Sequence, residues 1–257
     1  MPINKLIYRL DFEPNFDIID SAGKILRIFQ EQGKDEKTWP QLGDTIENRS
    51  VTGKNLSDEN GLWYSITILP TSIIGQFESI EGINFVDIEK TKFFNDLTKT
   101  TNILRKEFKL TNFTRTGIRF YLFNPLSYEL KEVHSGFNQM LSSFSQNFYE
   151  TLGGIVDSGV QINGENDDGI RYNFRFGPYL KDFGKIIDYA NKKPKIKQLV
   201  DSIEKDFKLT YDIDFFEKNK YLSETTNLKK WASPIIQRAF EAISIIESSV
   251  IKKIEER

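Results

Sequence analysis

Residues 113 to 125, FTRTGIRFYLFNP, set two arginines four positions apart in a run that alternates like a β-strand, with one glycine midway between them. Successive side chains of a strand turn to opposite faces, so Phe113, Arg115, Gly117, Arg119 and Tyr121 share one side. Thr116, Ile118, Phe120 and Leu122 share the other. Two guanidinium groups therefore stand above one bare position, where they meet either an anionic ligand or carboxylates from elsewhere in the chain. The segment LTYDIDFF places Asp212 and Asp214 on one strand face, about 7 Å apart by strand rise, with Tyr211, Ile213 and Phe215 on the other. The arginine fork matches a carboxylate bidentately, and a guanidinium is costly to bury without such acceptors. At least one of the two aspartates is therefore expected to pair with Arg115 or Arg119 and so join the two halves of the chain.

The same residues admit other chemistry. A second arginine strand, IRYNFRFGPY, sets Arg171, Asn173 and Arg175 on one face and Ile170, Tyr172, Phe174 and Phe176 on the other. Arginines interleaved with aromatics suit a single-stranded nucleic-acid platform or a phosphate ligand, which makes Arg115, Arg119, Arg171 and Arg175 the candidate ligand-binding residues. The aromatics face away from the arginines, however, as expected for one core face and one solvated face. Carboxylates two apart on a strand can hold Mg²⁺ or Mn²⁺, so Asp212 and Asp214 are weak metal candidates, and Asp87 with Glu89 in FVDIEK forms a second such pair. The single His134 rules out a multi-histidine metal site. NGENDDG, residues 163 to 169, has calcium-loop composition without the ligand alternation and reads as a hairpin turn. Neither nucleotide-cradle glycine motif is present. No catalytic residue and no cofactor is indicated.

The elements that must position these groups follow from periodicity. LIYRLDFEP reads as a strand, and Ile18, Ile19, Ala22, Ile25, Leu26 and Phe29 follow at helical spacing. Residues 34 to 61 are rich in turn formers and are expected to be a loop with one short strand. LWYSITILP is a strong strand and GINFVDIE a weaker one. Phe93, Phe94, Leu97, Ile103, Leu104 and Phe108 mark a helix that feeds the arginine strand. The first half is thus roughly β-α-β-β-α-β, compatible with a ferredoxin-like layer. After residue 126 come an amphipathic helix from LSYELKEVHSGF to Gly153 and Gly154, the hairpin about NGENDDG, a helical run over KDFGKIIDYANKKPKIKQLVDSIEK, the DID strand, and a long closing helix that Pro234 should begin or kink. The expectation is an α+β fold with mostly antiparallel sheet, in two packed lobes spanning residues 1–125 and 126–257. In the closing helix Trp231, Ile235 and Phe240 are expected to be buried, leaving the apolar stripe beyond Ile246, with Val250 and Ile254, for a partner or a second copy.

Composition bounds the function. The chain has 257 residues, 39% hydrophobic and 13% aromatic, which places it with folded globular proteins. Its 35 Lys and Arg against 37 Asp and Glu give a formal charge of -2, so no global positive field draws it to nucleic acid or anionic lipid. There is no cysteine, which excludes disulfides, thiol nucleophiles and thiolate zinc sites. No apolar run is long enough to span a membrane and the N-terminus lacks a secretory pattern, so a cytoplasmic location and no membrane partner are expected. Frequent Lys, Ile, Asn and Phe suggest an AT-rich microbial genome.

The segments LTNFTRTGIRFYLFNP, LTYDIDFF and IQRAFEAIS, in that order and spacing, resemble a sporadically distributed family of uncharacterised bacterial and archaeal proteins. That family carries a Thr-Arg-x-Gly-x-Arg-aromatic strand, a later Asp-hydrophobic-Asp strand and a Phe-Glu pair in its closing helix. Thr114, Arg115, Gly117, Arg119 and Phe120, then Asp212 and Asp214, then Phe240 and Glu241 occupy those positions, and PINKLIYRLDFEP is similar to the family's first strand. The resemblance implies a shared fold and names no reaction. Residues and resemblance together lead to the expectation of a binding or accessory protein with a protein partner. Nucleic-acid or phosphate-ligand binding is the alternative, and a metal-dependent phosphodiesterase is least favoured.

Overall fold

The computed structural model describes residues 2–32, 41–42, 50–57, 62–88, 90–124, 126–141, 159–178, 209–220 and 228–256. In chain order the elements are β1 (Pro2–Phe12), α1 (Asp17–Asp20), α2 (Ala22–Gln32), β2 (Gln41–Leu42), β3 (Val51–Ser57), β4 (Leu62–Leu69), β5 (Ser72–Asn84), α3 (Phe85–Ile88), α4 (Lys92–Glu107) and β6 (Phe113–Asn124). They continue with α5 (Leu130–Met140), β7 (Val160–Glu165), β8 (Arg171–Pro178), β9 (Leu209–Lys220) and α6 (Leu228–Glu255). The fold is α+β. The nine strands among the described residues form one sheet in the order β2-β3-β4-β5-β1-β6-β9-β8-β7, and every neighbouring pair is antiparallel. Strands from before and after residue 126 therefore share a single sheet, joined where β6 meets β9.

Each central strand alternates apolar and polar residues, and pairing brings the apolar positions into register. Leu6 faces Phe120 and Phe77, and Tyr8 faces Ile118; Phe120 faces Ile213, which faces Phe174. The helices cover this side. Phe93 of α4 packs edge-on against Phe77 and Tyr64, Trp231 of α6 meets Tyr8, and Phe137 of α5 meets Phe176. Such interlocked rings contribute about 0.5–1.5 kcal/mol each beyond the area they bury. α4 starts at Thr91, whose hydroxyl accepts the Phe94 N–H; α5 starts with a reciprocal capping box between Glu129 and Glu132.

Several expectations change. The segment from Ser72 to Asn84 is a full strand that alternation does not reveal, because Gly75 interrupts its apolar side. The expected strand GINFVDIE is only the end of β5 followed by the single turn α3, so Asp87 lies in a helical turn and pairs with Lys90 at 2.9 Å; Glu89 lies outside the described residues. Within residues 34–61, expected to be a loop with one short strand, the described residues form two strands, β2 and β3, and β3 pairs with β4. Pro234 sits inside α6, exposed on its outer side.

Trp231 and Ile235 are buried as expected, and Phe240 is half-buried against the core. The apolar stripe of α6 is used within the chain. Val250 is fully buried and Ile246 and Ile254 pack against the core, because α5 lies along α6. A Cβ on Gly136 would come 2.6 Å from Ile254 Cγ1 and 3.1 Å from the Val250 carbonyl, so only glycine allows this approach. Of the stripe expected to be left for a partner, Val250 is thus buried within the chain, while Ile246 and Ile254 are only partly covered by it. Of the helix expected to run to Gly154, the part from residue 142 lies outside the described residues, as does the helical run within residues 179–208.

Candidate functional site

The polar positions of the same strands line up on the side away from the helices. Across β6, β9 and β8 the register sets Arg119 opposite Asp214, Tyr121 opposite Asp212, Asn173 opposite Asp214 and Arg175 opposite Asp212. The direct pairs are not the ones that bond. Arg119 reaches diagonally to Asp212, its Nε donating to Oδ1 at 2.7 Å and its Nη2 to Oδ2 at 2.6 Å. Arg115 reaches along the sheet to Asp214, with Nη2 donating to Oδ2 at 3.1 Å. The expected tie between the two halves is therefore made by both arginines.

Gly117 explains the spacing. Arg115 lies flat over it: an added Cβ would sit 3.4 Å from Arg115 Nε and 3.3 Å from Phe216 Cβ. The guanidinium is stacked 4.7 Å from the centre of the Phe216 ring, and that of Arg119 lies 5.1 Å from the Tyr121 ring. Each arginine thus has a carboxylate at its edge and a ring at its face, an arrangement open to a planar delocalised cation and not to lysine.

The electrostatics separate the two aspartates. The Asp212 side chain is 5% exposed beneath an Arg119 that is 41% exposed, so a buried carboxylate is covered by a partly wet cation. Its bidentate bond raises the Arg119 pKa further above the usual arginine value. Burial holds the Asp214 carboxyl above its ordinary value, opposed by Arg115 and Arg119. Tyr121 is pushed up to about 12, by burial first and then by Asp212, with Arg119 and Arg175 opposing.

The network extends over neighbouring strands. Lys5 pairs with Glu78, which also accepts from Gln76 at 3.1 Å. Arg9 donates to Asp11 at 2.6 Å, and Arg171 to Glu165 at 2.8 Å across β8 and β7. Lys5, Gln76, Glu78, Arg9, Asp11 and Glu165, with Phe216 and Tyr121, were absent from the sequence-derived site, although β1 places Lys5, Arg9 and Asp11 on one face. Arg175 is exposed, opposite Gln161. Two buried polar atoms on this face, Arg115 Nε and Asn173 Oδ1, have no hydrogen-bond partner among the described residues.

Of the four candidate arginines, Arg115 and Arg119 thus meet in one network about Asp212 and Asp214, while Arg171 is held at its margin by Glu165. Both oxygens of Asp212 are occupied by Arg119, and the described residues contain no group of three or more His, Asp or Glu that could hold a metal ion. NGENDDG closes the β7–β8 hairpin as expected. Asn166 Oδ1 accepts the Asp168 and Ile170 N–H groups, and Gly169 takes φ +77°. His134 lies half-buried on α5, on the other side of the sheet.

No family model matches the chain, and no curated protein does. Among solved structures it is similar to the di-domain ARO/CYC StfQ from the steffimycin biosynthetic pathway, with 7% identity over 96% of each chain and a TM-score of 0.19. A likeness that weak carries no argument about fold or activity. No helix among the described residues is long and apolar enough to cross a membrane.

Proposed function

We propose that this protein works by binding, as an accessory or interaction module, and that the charged face of β6, β9 and β8 receives a protein partner. One observation carries this reading: Arg115 and Arg119 are locked onto Asp214 and Asp212 over aromatic rings. The face then offers fixed charges of both signs, which favour a partner surface of complementary pattern. A polyanion would gain little from guanidiniums already paired, and a divalent cation would have to displace Arg119 from both Asp212 oxygens. Nucleic-acid and metal-dependent readings rank lower for these reasons.

The family resemblance is kept as a proposal on the same strands. The order β4-β5-β1-β6, with helices between β1 and β4 and between β5 and β6, supports a ferredoxin-like description of the first half. A cytoplasmic, prokaryotic setting rests on composition alone.

The test is affinity purification of the tagged chain from its native host, repeated with charge reversals. Arg171→Glu combined with Arg175→Glu should release the co-purifying protein, because both side chains are exposed on the proposed face. Ser244→Glu with Lys252→Glu, exposed on α6, should leave it bound. A partner indifferent to the first pair, or lost with the second, overturns the proposal. Retention on single-stranded RNA with a steep salt slope would transfer the function to the nucleic-acid alternative.

A further inference from the structure

On the charged side of the sheet the arginines divide into those that hold a carboxylate and one that does not. Arg9 is paired with Asp11, Arg115 with Asp214, Arg119 with Asp212 and Arg171 with Glu165. Arg175 is exposed, and no carboxylate among the described residues pairs with it. Its neighbour on β9 is Asp212, the acceptor that the register offers, but Arg119 Nε and Nη2 already occupy both Asp212 oxygens. On its other flank stands the neutral Gln161 of β7.

Two guanidiniums thus share the surroundings of one carboxylate, which leaves the position with net positive charge. Their fields meet at Tyr121, which neighbours Asp212 on β6. Burial first and then Asp212 push that phenol up, while Arg119 and Arg175 both pull it down. Like charges set side by side on a sheet are destabilising, and Asp212 needs no second cation for architecture. Arg119 also keeps capacity of its own. It is 41% exposed, and Asp212 engages only its Nε and Nη2, so N–H donors remain.

We propose that the protein partner seats a carboxylate, from an Asp or Glu side chain, on Arg175 and the remaining donors of Arg119. The seat rests on the reading of β6, β9 and β8 as a partner face, and specifies what the partner brings to it. Arg175 offers a bidentate fork that matches a carboxylate, and the incoming charge relieves the repulsion between the two arginines. An exposed pair contributes little, but an arginine that a docked partner seals from water is typical of the residues that carry binding energy. A nucleic-acid strand fits the position less well. It carries a phosphate on every nucleotide, and those flanking the first would approach the Asp214 and Glu165 carboxylates.

Single substitutions in the affinity purification test it. Arg175→Ala should lower recovery of the partner about tenfold or more, the share of one charge-assisted hydrogen bond. Arg171→Ala, which removes a guanidinium already held by Glu165, should lower it less than about threefold. Equal losses for the two overturn the seat. A partner retained by Arg175→Ala but released by Arg171→Glu with Arg175→Glu also overturns it, and leaves the partner face standing; a partner retained by that double reversal overturns the face and the seat with it. The chemistry of the occupant is read on the full chain with N-acetylglutamic acid α-amide, a single Glu side chain without charged termini, by NMR of the arginine Nε–H signals against potassium chloride of equal ionic strength. Saturable shifts at Arg175 and Arg119 are expected, and they should vanish in Arg175→Ala. Shifts no different from those in chloride, shifts centred on Arg171, or steeply salt-dependent binding of octauridylate at the same signals would each overturn the assignment to a partner carboxylate.

Discussion

On β1, β6 and β9 the side toward the helices is filled by Leu6, Tyr8, Phe120, Leu122, Tyr211 and Ile213, none more than 2% exposed. The other side, one residue out of step, carries Lys5, Arg9, Arg115, Arg119, Asp212 and Asp214. The two sides are held by different physics. The apolar side gains by area removed from water and by close packing, so its energy scales with the size of each side chain. The charged side gains only where a fork and a carboxylate meet in good geometry, and solvent screening sets how much each meeting contributes.

The contrast is sharpest at Phe120, fully buried and stacked on Phe215. Phe120→Ala should cost about 3–5 kcal/mol in chemical denaturation, from lost transfer energy and the cavity left behind. A loss below that of any charged-side variant would break the comparison.

Next comes the Arg119–Asp212 pair. Because the carboxylate is the buried member, Arg119→Ala strands a charge while Asp212→Ala leaves a cation able to swing into water. Arg119→Ala should cost about 2–3 kcal/mol, below the full buried-pair range because the arginine is partly wet, and Asp212→Ala less. The double variant should cost less than the sum of the singles; strict additivity would show that the pair contributes no coupling. Gly117→Ala tests the packing of the same network. The new methyl meets atoms at 3.3–3.4 Å, so Arg115 must lift from Phe216, at about 1 kcal/mol. A neutral result would mean the guanidinium is not confined there.

A smaller effect is set by pH. With its pKa raised by burial, Asp214 keeps its proton in the folded chain at pH values where the unfolded carboxyl has lost it. Its contribution therefore makes stability fall as pH rises from about 4, the ordinary carboxylate value, up to the folded pKa, and is flat beyond. Asp214→Asn should remove that share of the slope, read as the wild-type minus variant difference in denaturation free energy across the window. A difference of opposite sign would place Arg115 ahead of burial. Arg171→Ala closes the series. Arg171 and Glu165 are both about half exposed, so the loss should stay within about 0–0.5 kcal/mol.

The sequence carried much of this contrast because strand alternation assigns sides without knowledge of neighbours. Arg115 with Arg119, Asp212 with Asp214, and Arg171 with Arg175 are placed on single faces by spacing of two and four, and the pairing of the first two sets follows from charge and pitch. β5 was hidden because Gly75 stands where an apolar residue would complete the pattern. The reason is tertiary: Leu97 of α4 occupies the space a Cβ would take. The stripe of α6 was visible but its cover was not, since the approach of α5 depends on the absent side chain of Gly136.

By itself the sequence determined the α+β class, the exclusion of thiol chemistry, the faces of the arginine and aspartate strands, and the hairpin turn at Asn166 to Gly169. These are local or compositional properties, fixed by side-chain type and backbone period. Tertiary structure decided that one sheet runs through both halves and that Arg119 takes Asp212 diagonally while Arg115 lies over Gly117 toward Asp214. It also decided that the chain's own α5 packs along α6. Each of these depends on which distant surfaces come within hydrogen-bond or van der Waals reach, and the periodicity of a single segment does not encode that.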